Sequence, residues 1–90
     1  MTTSTNYINT IIADLERKYE DAERNYSAAR QEWETARKRQ NELLESDPYS
    51  QDCSDACADV RVYFHLMMKL DDESTALWGA VRKLKEAKEL

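Results

Sequence analysis

Two apolar stripes with the same alternating four- and three-residue spacing run through this chain, one on each side of its only proline. The first is Ile8, Ile12, Leu15, Tyr19, Ala22, Tyr26, Ala29, Trp33, Ala36, Gln40 and Leu43. The second is Tyr49, Cys53, Ala56, Val60, Tyr63, Met67, Leu70, Ser74, Leu77, Val81 and Leu84. Such a repeat averages about 3.5 residues, the spacing that holds a seam of side chains against a neighbouring helix. Pro48 lies near the middle of the 90 residues, so the pattern predicts two long helices folded back on each other.

The composition agrees. The chain has one glycine and one proline, too few turn formers for a sandwich or barrel. Charged residues make up 34%, and with a sustained heptad spacing this points to long helices rather than to a compact mixed fold. The fold expected is all-α: a single helical domain over residues 1–90, built as a long antiparallel, coiled-coil-like hairpin.

Helix 1 is expected over about residues 6–46, with Ser4, Thr5 or Asn6 able to cap it. The pairs Asp14–Lys18, Glu20–Arg24 and Glu34–Lys38 place acid four residues before base, the favoured order on a helix. About 40 residues at ~1.5 Å each make a rod of roughly 60 Å. Proline disfavours helix at the residue before it, so helix 1 ends at or before Ser46. Asp47 then suits an N-cap and Pro48 the first helical position. A connection this short makes the neighbouring helices antiparallel.

Helix 2 has two readings. Either it runs unbroken over about 48–90, or the polar Asp71-Asp72-Glu73-Ser74 breaks it into 48–71 and 74–90, giving a third short helix. Gly79 either weakens this helix or marks close packing against helix 1.

The charges test the hairpin independently. Facing residues should lie at equal distances from the turn near Pro48. That sets Arg37-Lys38-Arg39 opposite Asp55 and Asp59, and Asp14 and Glu16 opposite Arg82 and Lys83. Both matches are complementary.

Helix 2 carries more apolar surface than one seam uses. Cys57, Phe64 and Trp78 recur at multiples of seven beside the stripe, and Met68 lies one turn beyond Phe64. These residues are covered either by a third helix within the chain or by another molecule. A second candidate surface is acidic: Glu45, Asp47, Asp52, Asp55 and Asp59 lie near the turn with no Lys or Arg between Glu45 and Val60. Acids there suit a helix N-terminus; they also form a knob able to dock on a basic surface.

No catalytic, cofactor or metal site is expected. With one glycine, the phosphate-binding and nucleophile-elbow motifs cannot be written. Cys53 and Cys57 share a helical face in poor geometry for a disulfide, so free thiols are expected. His65 is the only histidine; it lies off the seam, and the position three before it is Val62, so the Glu-x-x-His of carboxylate-bridged metal bundles is missing. A net charge of −5 disfavours direct nucleic-acid binding. No apolar run is long enough to cross a membrane, and the start MTTSTNY has neither the basic nor the apolar region of a signal peptide. A cytoplasmic location is expected.

The expected function is therefore a non-enzymatic protein-interaction module, self-associating as a homodimer into a four-helix bundle through Cys57, Phe64, Met68 and Trp78. The alternative is a small acidic inhibitor, of the type mobile elements or phages carry, that covers a basic nucleic-acid-binding surface of a host protein with Asp47, Asp52, Asp55 and Asp59.

Overall fold

The computed structural model describes the backbone of residues 2–89 and the side chains of residues 6–89. It holds two helices, α1 (Thr2–Ser46) and α2 (Gln51–Glu89). They pack along their whole length as an antiparallel hairpin measuring 67 × 15 × 14 Å. The radius of gyration is 19.9 Å, against about 12 Å for a compact domain of this length. The molecule is a rod because each helix has only one neighbour.

The seam is the one the spacing predicts. Every residue of the first stripe is buried or half-buried, as is every residue of the second except Tyr49. The most deeply buried are Ile12, Ala22, Ala29, Cys53, Ala56, Met67 and Val81, with Ser74 among them. Three of these are alanines, which let the helix axes come close at their layers. No large side chain is completely buried among the described residues. A two-helix hairpin shields one face of each helix and leaves the flanks of that face in water.

Four residues, Asp47–Ser50, make the connection, and here the structure corrects the expected boundaries. Asp47 does not cap α2 and Pro48 is not its first residue. Asp47 instead closes α1: its N–H donates to the Leu43 carbonyl at 2.8 Å. The Asp47 carbonyl then accepts the Ser50 N–H at 3.3 Å and the Ser50 hydroxyl at 2.8 Å. This is a β-turn with Asp at its first position and Pro at its second, where proline's fixed φ is favourable. Ser50 is the N-cap of α2. Its carbonyl accepts the first helical bond from Ser54 at 3.2 Å, and its Oγ accepts the Cys53 N–H at 3.1 Å, as the capping geometry requires. The chain needs these residues to reverse direction, so α2 begins at Gln51 rather than 48. Tyr49 sits on the turn and is 99% exposed.

At the other end α1 starts at Thr2, so Ser4, Thr5 and Asn6 lie within its first turns rather than capping it. The side chains of Ser4 and Thr5 fall outside the described ones.

α2 does not break at Asp71–Ser74. Ser74 is 5% exposed and stays in the seam, with its hydroxyl donating to the Glu23 carboxylate of α1. A serine at a seam position is compatible with a continuous helix once its hydroxyl has an acceptor. There is no third helix among the described residues. A Cβ at Gly79 would meet nothing within 4 Å, so this glycine does not mark a close approach to α1.

Candidate interaction surfaces

The antiparallel pairing divides the surface beside the seam into two flanks. Residues that directly follow a seam position face one side. Among them are Leu44 in α1 and Cys57, Phe64, Met68 and Trp78 in α2. Both helices share this flank: Glu16 and Lys85 each follow a seam leucine and form an ion pair across the hairpin at 3.7 Å. The Gln40 amide likewise reaches across to Cys57 Sγ at 3.3 Å. Residues that directly precede a seam position face the other side, and Asp52, Asp55 and Asp59 are of this kind. The apolar and acidic surfaces read from the sequence are therefore on opposite flanks.

The apolar flank remains largely open. Phe64 is 46% exposed, Met68 47% and Trp78 51%, with Leu44 exposed nearer the turn and Cys57 half-buried. Phe64 leans on Trp33 of α1, ring centroids 6.5 Å apart and tilted by 46°. Its own neighbour His65 meets it edge-on at 6.3 Å and is exposed. An arginine caps each indole: Arg37 lies 5.3 Å from the Trp33 ring centroid and Arg82 5.6 Å from that of Trp78. These cation–π contacts hold the arginines' stems over apolar surface. The Trp33 indole N–H is buried and has no hydrogen-bond partner. Shallow grooves flank Trp78 on both sides, lined by Tyr19 and by Glu16 and Glu20 on one, Glu23 and Asp71 on the other.

Sequence spacing found the α2 half of this flank and missed the α1 half. Leu44 follows Leu43 as Cys57 follows Ala56, a signal that was available. The contribution of Trp33 was not, because Trp33 is also a seam residue. Val62 and Leu66 are further exposed apolar residues on the opposite side of α2.

The acidic tip is in solvent. Asp47 is on the turn, Asp52 is in the first turn of α2, and Asp52, Asp55 and Asp59 are all exposed. Asp55 accepts the Gln51 side-chain amide at 2.9 Å. The expected pairing with Arg37-Lys38-Arg39 is not made among the described residues. Arg37 directly follows a seam position, so it lies on the flank opposite Asp55 and Asp59 and rests over the Trp33 ring instead. The expected match at the far end is made by different partners. Glu16 pairs with Lys85, while Asp14 pairs with Arg17 and Lys18 of its own helix and Arg82 with Glu86. Of the helix-supporting pairs, Asp14–Lys18 forms at 3.2 Å; Arg24 chooses Asp21, and Glu34 chooses Arg30.

Both cysteines are free thiols, Cys53 buried and Cys57 half-buried. Burial pushes the Cys53 thiol above its ordinary pKa of 9.0, and the Cys57 thiol and Asp47 act in the same direction. A thiol so placed is a weak nucleophile. Among the described residues no three His, Cys, Asp or Glu side chains gather as a metal site, and no helix is long and apolar enough to cross a membrane.

A comparison with known protein families, characterised proteins and solved structures finds no match for this chain.

Proposed function

We propose that this chain is a non-enzymatic interaction module that associates with a second copy of itself through the flank bearing Phe64, Met68 and Trp78. The observation that supports this reading is the exposure of those three large side chains, about half of each in water, on a hairpin whose α2 is unbroken. An unbroken α2 leaves no segment of the hairpin to fold over them. The thin core argues the same way. A rod whose most buried residues include three alanines and a cysteine gains much from covering a second apolar face, as small domains generally do on association.

Sedimentation tests this. The wild-type chain sediments as a dimer at micromolar concentration, and Phe64→Asp as a folded monomer of unchanged helix content. A wild-type monomer at high micromolar concentration overturns the reading.

One observation favours a second reading. Asp52, Asp55 and Asp59 have no cationic partner among the described residues, and they project from the flank opposite the apolar one. This leaves them able to dock on a basic protein surface, in the manner of an acidic inhibitor of nucleic-acid-binding proteins. Retention of such a partner would be lost at about 0.5 M salt and lost on neutralising all three to asparagine. Unchanged retention by the triple variant removes this reading.

A further inference from the structure

The geometry points to a two-coordinate site for Cu(I), formed by the thiolates of Cys53 and Cys57 at the start of α2. The site lies within one chain and does not depend on self-association.

The two cysteines are four residues apart on one unbroken helix, so they leave the same face one turn apart. Cys53 is buried in the seam and Cys57 half-buried beside it. The Cys57 thiol is near enough to hydrogen-bond that of Cys53. Side chains so placed have Cβ atoms ~5–6 Å apart. A disulfide needs ~3.5–4.5 Å, so a direct bond between the sulfurs would distort the first turns of α2. A single atom held between the sulfurs would not. Two metal–sulfur bonds of ~2.3 Å in line span a sulfur separation of ~4.6 Å, which suits the helical spacing.

The ligand set selects the ion. Thiolates favour soft ions: Cu(I), zinc and the iron of iron–sulfur clusters. Zinc sites and iron–sulfur clusters take about four protein ligands. Among the described residues no third His, Cys, Asp or Glu joins the pair, and His65 lies two turns beyond Cys57 on the same helix. Cu(I) is satisfied by two thiolates in line.

The surroundings support such a pair. The Gln40 amide of α1 donates to Cys57 Sγ at 3.3 Å, the kind of outer hydrogen bond that orients a metal-binding side chain. Cys53 stands in the first turn of α2, where the helix dipole favours negative charge. Burial and Asp47 oppose that charge, and the bound cation offsets them by cancelling one of the two thiolate charges. On binding, each thiol loses its proton and two sulfur–copper bonds form. Two protons are released, and copper stays in the monovalent state.

The test is an anaerobic titration of the reduced full chain with Cu(I), supplied as its acetonitrile complex, in competition with a chromogenic Cu(I) chelator. Wild type should bind one Cu(I) per chain, with a thiolate-to-copper band in the ultraviolet and a native mass showing two protons displaced. Cys53→Ser and Cys57→Ser, with helix content checked by circular dichroism, should each bind about a hundredfold more weakly, since the second thiol of a pair acts at high effective concentration. Should Cys53→Ser lose helix, Cys57→Ser at the half-buried position decides alone. Wild-type affinity in a folded serine variant, one Cu(I) shared between two chains, or undiminished affinity in denaturant, where the helix no longer spaces the sulfurs, overturns the site.

Discussion

The Ser74 hydroxyl donates to the Glu23 carboxylate across the hairpin, which gives the one polar residue buried in the seam of α2, among the described residues, a partner on α1. Ser74 is the buried polar residue of the seam; Glu23 is exposed at its edge. The bond to Glu23 forms only when α2 stands at this height against α1, so the pair favours one register over its neighbours. Ser74→Ala should lower stability by about 1 kcal/mol, the net value of such a bond, in urea denaturation. Glu23→Gln, which keeps an acceptor, should cost less. Equal losses from the two would remove the register argument.

Gly79→Ala should raise stability by about 0.5–1 kcal/mol. A Cβ there meets nothing within 4 Å, so the gain in helix propensity has no steric cost against it. In a domain of this size the midpoint of thermal unfolding should rise by several degrees.

Side-chain size misleads at two other positions. Tyr49 is large and in the predicted stripe, yet it is 99% exposed on the turn; Tyr49→Ser should change stability by less than about 0.5 kcal/mol. Ala56 is small but 1% exposed, where the helices approach. Ala56→Leu should cost about 1–3 kcal/mol by overpacking. Denaturant midpoints of the two variants make the comparison.

The buried Cys53 thiol links stability to alkaline pH. Its pKa is raised on folding above the ordinary 9.0. The thiol therefore stays protonated in the folded chain at pH values where the unfolded chain has begun to lose the proton. Its stabilising contribution is complete below the unfolded pKa of 9.0 and is lost as pH rises toward the folded one. Between pH 8 and 10 the urea midpoint of wild type should fall more steeply than that of Cys53→Ala. Native-state alkylation should modify the half-buried Cys57 before Cys53.

Trp33→Phe should be nearly neutral, within about 1 kcal/mol, since the loss of buried ring is offset by removing an indole N–H that is buried without a partner. Trp33→Ala, which also removes the support beneath Phe64, should cost about 3 kcal/mol.

Much of this protein could be read from its residues in order. The 4-3 spacing names the seam almost residue by residue, because helical periodicity is a local property and a single packed face needs only a stripe. Pro48 placed the reversal for the same reason. The details of that reversal were not local. Asp47 and Ser50 are both good N-caps, and the choice between them depends on how many residues the chain needs to turn α2 back onto α1. The continuity of α2 was equally ambiguous in sequence. Asp71–Ser74 reads as a possible helix end, and it is the packing of Ser74 into the seam, with Glu23 of the other helix as its partner, that keeps it within α2. The same holds for the flanks. Sequence spacing showed that Phe64, Met68 and Trp78 lie beside the seam. It did not show that Leu44 and Arg37 share their side, or that the acidic residues face away from them and so out of reach of Arg37. Those depend on which α1 residue stands level with which α2 residue, and tertiary packing alone fixes that height.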